Sequence, residues 1–292
     1  MKGVKLENER LLIQINEHGS ELVRIFDKKE QRDVLWDASP QVWARCAPIL
    51  FPFIGNCYEG QYCHDGKTYP MTPHGFARDM MFDLNTLSQD EVWFTLKDTA
   101  ETYAVYPFHF SLEAGHRLDG SRIHVMWKVT NRGDRQMWYM LGGHPAFRAP
   151  EGNTIHDFTF LFDQKASLHY EAPDHRGYTD PDKAGTLLLD NGKAALKKGF
   201  FEQTLTYIFD QGQVGSVSLL LPGGKPYVTL ECKGIPYLGV WTMEETHPFV
   251  CLEPWFGRCA DIGFTGELKN RTGIMSLAPG EVFEAGYIIE IH

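Results

Sequence analysis

The sequence predicts an all-β protein: one large antiparallel β-sandwich spanning residues 1–292, with few short helices. Three observations carry that expectation. Apolar and polar residues alternate with a period of two in segment after segment. Turn-forming pairs separate those segments at short intervals. No long stretch holds a clean helical period.

The alternation begins with strand candidates over 11–15 and 22–26 and continues over 92–97. In 108–114, Phe108, Phe110, Leu112 and Ala114 alternate with His109, Ser111 and Glu113. In 122–130, Ile123, Val125, Trp127 and Val129 share one face, while Arg122, His124, Met126, Lys128 and Thr130 share the other. Phe158, Phe160 and Phe162 repeat the pattern, and 217–221, 227–231, 236–242 and 282–291 complete the set. Each reads as a half-buried antiparallel strand. Asp65-Gly66 between Tyr62 and Tyr69 suits a tight hairpin. Asp119-Gly120, Asn131 to Asp134, Asp190-Asn191-Gly192 and Pro222-Gly223-Gly224 are further turn signals. Short helices are expected over 99–104 and 193–200. The stretch 171–200, with Pro173, Gly177, Pro181 and Gly185, reads as a polar loop-rich excursion from the sheet. No linker or repeat divides the chain.

Aromatic residues make up 13% of the sequence, which leans towards strands. The formal net charge is −10, and no Lys/Arg cluster is present, so neither a nucleic acid nor an anionic membrane surface is an expected partner. The N-terminal residues lack the apolar core of a secretion signal, and no run approaches a membrane span. A cytoplasmic protein, monomer or homodimer, follows as the expectation. Its six cysteines (46, 57, 63, 232, 251 and 259) are then reduced thiols.

Several chemistries lack their motifs. There is no G-x-G-x-x-G, P-loop, G-x-S-x-G or H-E-x-x-H pattern. The 12 histidines are scattered, with no close ligand pair such as H-x-H. No metal or cofactor is expected.

Four segments place polar residues beside turn-forming and aromatic ones. In 43–56, Arg45 precedes a mostly apolar run, where it either snorkels at a strand edge or points its fork into a pocket. In 73–79, Gly75 permits a sharp turn that holds His74 and Arg78 close together on a loop. In 141–147, Gly142 and Gly143 free the backbone before His144, and Pro145 fixes the residue after it. In 250–257, Glu253 ends an apolar stretch. A carboxylate buried there has a raised pKa and serves as a base near neutral pH, unless it simply pairs with an arginine. Trp255 offers a flat face to a sugar ring. A histidine and a glutamate so placed point to general acid–base chemistry and do not name the substrate.

Together these segments resemble the aldose 1-epimerase (galactose mutarotase-like) superfamily, in its LacX-type bacterial branch. The motifs are R-C-A-P-I-L-F-P-F-I-G from Arg45, D-G-K-T-Y-P-M-T-P-H-G-F-A-R-D from Asp65, G-G-H-P-A-F from Gly142 and C-L-E-P-W-F-G from Cys251. They occur in the family's order, over nearly the whole chain. The resemblance implies the galactose mutarotase-like supersandwich, with a small aldose bound in a cleft on one sheet. It implies His144 as general acid, Glu253 as general base, and His74, Arg45 and Arg78 as sugar contacts. The acid and base should then face one pocket across about the width of a pyranose ring. The family's sugar-binding aspartate has no counterpart near Thr204 to Thr206; Glu202 and Asp210 are the nearest carboxylates.

The leading reading is an aldose 1-epimerase, an isomerase that interconverts α and β anomers. A hexose-phosphate mutarotase would use Arg45 and Arg78 as cationic contacts. A non-catalytic carbohydrate-binding or regulatory protein could keep Arg45 and the aromatics without the acid or base. A glycoside-processing enzyme needs two carboxylates, and only Glu253 is nominated.

Overall fold

The computed structural model describes residues 3–202 and 204–292. Gln203, in the stretch searched for the missing aspartate, lies outside the described residues. Two large antiparallel sheets dominate. The nine-stranded sheet runs, in spatial order, Lys193–Ala195, Thr159–Phe162, Ser216–Leu220, Pro226–Glu231, Val282–Ile291, Arg122–Asn131, Phe110–Asp119, Glu91–Lys97 and Asp83–Leu87. The eight-stranded sheet runs Thr179–Leu188, Ser167–Pro173, Thr206–Phe209, Tyr237–Trp241, Phe249–Phe256, Leu141–Gly143 and Ile49–Leu50, with Ala146–Arg148 also pairing to Phe249–Phe256. A four-stranded meander, Gly3–Glu7 through Arg32–Asp33, precedes both.

The alternation read from the sequence sets the packing. Ile123, Val125, Trp127 and Val129 are buried, and their neighbours are half-exposed. They share one continuous core with Val250, Leu252, Leu238 and Val240 from the eight-stranded sheet. The opposite face of the eight-stranded sheet is also covered. Phe249 and Cys251 pack with Trp36 and Ala146, and Trp255 packs with Leu50, Ile54, Met140 and Ile208. A strand buried on both faces reads as an unbroken apolar run, which is why 249–256 shows no polar alternation.

Most expected elements hold, with small shifts: Phe108 precedes its strand, which begins at Phe110, and the Phe158 strand begins at Thr159. The helix expected over 99–104 is Ala100–Val105, closed at its start by a reciprocal Thr99–Thr102 capping box. Two expectations fail. Lys193–Ala195 is a strand rather than a helix, because the Asp190–Gly192 turn returns the chain against Thr159–Leu161. The 171–200 excursion is not mainly loop. Ser167–Pro173 and Thr179–Leu188 form a hairpin ribbon that continues the eight-stranded sheet. Thr179–Leu188 is polar because it stands mostly in solvent.

Among the described residues, no helix is long and apolar enough to cross a membrane. All six cysteines are unpaired, and Cys63 alone is not fully buried.

Candidate active site

Strand register brings His144 and Glu253 together. Gly142 stands opposite Trp255 and Ala146 opposite Cys251, so one register runs through both flanks of His144 and sets it opposite Glu253. The chain leaves regular pairing at 144–145, where Pro145 supplies its carbonyl to the Leu252 N–H. Alternation along Phe249–Phe256 sends Val250 and Leu252 into the core. Cys251, Glu253 and Trp255 go to the other face. His144 Nε2 lies 3.0 Å from Glu253 Oε2, with the two side chains 7% and 1% exposed.

This differs from the sequence expectation in one respect. The two groups do face one pocket, but they touch instead of standing a ring's width apart. Directly opposed residues on neighbouring strands have Cβ atoms only ~4.5–5.5 Å apart. Nor is Glu253 a strand-end residue paired with an arginine; it is mid-strand and its partner is a histidine.

Burial pushes the Glu253 carboxyl pKa up, and the neighbouring His144 ring and Trp255 indole oppose that rise without cancelling it. Trp43 and Trp241 hold the His144 ring, with centroids 5.0 and 5.4 Å away. Trp255 lies flat on the sheet because its neighbours are glycines. A Cβ on Gly142 or on Gly239 would come within 2.7 Å of its ring.

His74 meets the pair from the side, its ring centroid 5.4 Å from that of His144. Its backbone is left-handed (φ 64), and the following Gly75 is also left-handed (φ 73). A Cβ on Gly75 would collide with the Phe51 carbonyl at 2.3 Å. Burial, then the positive neighbours, hold the His74 pKa well below its ordinary value, so the ring is neutral. Its Nδ1 accepts the Gly55 N–H at 3.2 Å, which puts its proton on Nε2.

A cavity of about 340 Å³ opens onto these groups, lined by Trp43, Asn56, His74, Arg78, His144, Thr206, Trp241, Glu253 and Trp255 among others. That is the small end of the ~300–1,000 Å³ range for ligand sites. The hairpin ribbon supplies one wall, and Asn56 ties it down by donating to the Arg176 carbonyl at 2.6 Å. A larger groove of about 780 Å³ crosses the outer face of the nine-stranded sheet, past Trp93, Met126 and Gly286. Its charged walls hold no buried acid–base pair, so the smaller cavity is the candidate site.

The two arginines divide. Arg78 lines the cavity and donates to the Pro73 carbonyl at 2.7 Å; burial, with Arg45 adding to it, lowers its pKa to about 10. Arg45 is not among the lining residues. Its guanidinium is held by Asp79 at 2.6 Å and by the Arg78 carbonyl at 3.3 Å. Glu21, nearly buried, fixes the start of that segment by accepting the N–H groups of Cys46 and Ala47.

Neither carboxylate near the missing aspartate reaches the cavity. Asp210 is bound to Gln213 and faces His169, and Glu202 packs against Gly199. Thr206 lines the wall there. Sequence reading gave no role to Thr206, Asn56, Trp43 or Trp241. Trp241 was findable, because it shares a face with Tyr237 and Gly239, opposite the core residues Leu238 and Val240.

Comparison with known proteins agrees with this architecture. The aldose 1-epimerase family model matches residues 2–285. A Lactococcus lactis protein, "Protein LacX, chromosomal", is 27% identical over 99% of both chains. A galactose mutarotase related enzyme from Lactobacillus acidophilus superposes with a TM-score of 0.93 at 29% identity, covering 100% of this chain and 97% of that one. A galactose mutarotase-like protein from Lactobacillus casei does so with 0.91 at 27% identity, over the whole of both chains. A galactose 1-epimerase from Lactobacillus acidophilus shares the fold at 15% identity, with a TM-score of 0.73 over 99% of this chain and 94% of that one. With a buried histidine–glutamate pair on one sheet and a family match over nearly its full length, this chain belongs to the aldose 1-epimerase family.

Proposed function

We propose that the protein is an aldose 1-epimerase that opens and recloses the ring of a small aldose, with Glu253 as base and His144 as acid. The observation that carries this reading is the 3.0 Å contact between the two groups. Ring opening needs a proton taken from the C1 hydroxyl and another given to the ring oxygen. Both oxygens are bonded to C1, so acid and base must act at neighbouring points and not at opposite ends of the sugar.

In the opening step Glu253 accepts the C1 hydroxyl proton as the carbonyl forms. The C1–O5 bond breaks, and His144 protonates O5. Rotation about C1–C2 presents the other carbonyl face, and the two transfers run in reverse. The raised pKa of Glu253 makes it a stronger base than an exposed glutamate. His74, with its proton on Nε2, is a neutral donor to a sugar oxygen. Trp255 supplies a flat floor, and Arg78, Asn56 and Thr206 offer polar contacts around the wall.

Two observations weigh against the other readings. A non-catalytic binder gains nothing from an ionisable carboxylate that is 1% exposed. A phosphorylated sugar calls for several free cationic groups, yet Asp79 occupies Arg45 and only Arg78 of the two lines the cavity. Saturation-transfer NMR on a panel of free and phosphorylated aldoses tests the proposal. Faster anomer exchange with neutral aldoses supports it, and exchange no faster than in buffer for every sugar overturns it.

A further inference from the structure

The His144–Glu253 pair has a third neighbour that the proton transfers do not use. Cys251 lies two residues before Glu253 on the same strand and therefore on the same face. One donor atom each from His144, Cys251 and Glu253 lie within 4.8 Å of one another, and all three residues are buried. Nδ1 of His144 has no hydrogen-bond partner. We infer that these three side chains form a binding site for a thiophilic divalent ion such as Zn²⁺, and that the ion switches the acid–base pair off.

The donor set fits that class of ion. Imidazole nitrogen, thiolate sulfur and carboxylate oxygen are the ordinary ligands of tetrahedral Zn²⁺. A thiolate and a carboxylate supply two negative charges, which balance a divalent cation in a buried place. Three protein donors would leave a fourth position for water. Mg²⁺ and Ca²⁺ prefer all-oxygen shells and are poorly served by sulfur. Binding forms three coordinate bonds, and the thiol proton and any proton on His144 Nε2 pass to solvent.

A second cluster, His64, Asp65 and Glu267, also brings its donor atoms within 4.8 Å of one another but is already engaged. Glu267 accepts the N–H groups of Asp65 and Gly66 and the Cys63 thiol. Arg135 stands 3.3 Å from Asp65 Oδ2, where it repels an added cation. Cys63 is therefore the control position.

The binding site stands on geometry alone; its inhibitory effect rests on the mutarotase reading, because an ion held by His144 and Glu253 occupies the lone pairs that would exchange protons with sugar. The full chain is titrated with Co²⁺, and the near-ultraviolet thiolate-to-metal band is followed. The band is expected in the wild type and in Cys63→Ser, and is expected to be lost in Cys251→Ser. Zn²⁺ affinity, read by competition with a chromogenic chelator, should fall in Cys251→Ser by more than the ~10–100-fold that loss of an outer-shell partner costs. Zn²⁺ should slow anomer exchange in the wild type, reversibly on chelation. Cys251→Ser should keep its metal-free rate and resist Zn²⁺. Circular dichroism checks folding, and Cys251→Ala replaces the serine variant if that one does not fold. A wild type without the band, a band that survives in the Cys251 variant, or a rate that rises with Zn²⁺ overturns the inference. If anomer exchange is absent throughout, the mutarotase reading fails while the Co²⁺ band still decides the site.

Discussion

The backbone N–H of Gly55 donates to Nδ1 of His74 across 3.2 Å, and that single contact fixes which nitrogen of the ring carries its proton. With burial also keeping the ring neutral, His74 is a donor whose state does not change across neutral pH. Nitrogen-15 NMR of the imidazole should show an Nε2–H tautomer with no titration near 6.5. A ring that protonates in that range would contradict the assignment.

Glu253→Gln should lower the rate of anomer exchange by about 10²–10⁴-fold, the ordinary contribution of a positioned proton-transfer group. The same variant should melt higher than wild type at pH 7. A carboxyl whose pKa is raised by folding prefers its neutral form in the native state. Its cost is absent below the unfolded value, grows as pH rises through that value, and is complete above the folded one. Glutamine never carries that charge. Thermal melts at pH 4 and pH 7 should show the gain at pH 7 and little at pH 4.

The acid limb of the pH–rate profile should lie above the usual glutamate range, because the base must be ionised and burial raises its pKa. An acid limb at or below about 4.3, the value of an unperturbed glutamate, would exclude Glu253 as the titrating base.

Gly239→Ala should destabilise the protein by about 1–3 kcal/mol, the usual range for overpacking. The added methyl would meet the Trp255 ring at 2.7 Å and must displace it or bend the strand. Denaturant melts measure the first effect. A rise in KM with a smaller change in kcat would report the displaced floor.

Asp79→Asn should leave stability within about 1 kcal/mol of wild type, since its ion pair with Arg45 is partly exposed. Freed from its carboxylate, Arg45 should favour anionic sugars. The ratio of anomer-exchange rates for a hexose phosphate and its parent hexose should therefore rise.

Much of this fold was legible because a half-buried strand writes its burial directly into its sequence. Arg122–Asn131 alternates residue by residue in exposure, and in polarity except at Met126 and Asn131. Thr179–Leu188, within the 171–200 stretch expected to be loop-rich, hides its strand for the complementary reason: a strand standing in solvent has no apolar face to write. His144 and Glu253 were visible as chemical oddities, a histidine after two glycines and a carboxylate in an apolar run. Their 3.0 Å contact was not visible, because register between strands 109 residues apart is a property of the folded sheet. Arg45 shows the same limit. Its motif pointed to a sugar contact, and only the fold reveals that Asp79, 34 residues on, already holds its guanidinium.

The break in pairing at His144 and Pro145 is flanked on both sides by strands that remain paired to Phe249–Phe256. His144 and Glu253 are thus clamped to a common foundation, while Thr206, Trp43, Asn56 and the hairpin ribbon reach the cavity from other parts of the chain. Such a division lets the surrounding wall be rebuilt for a new sugar without moving the proposed acid and base. On this scaffold, changing what is recognised and changing what is catalysed are separate engineering problems.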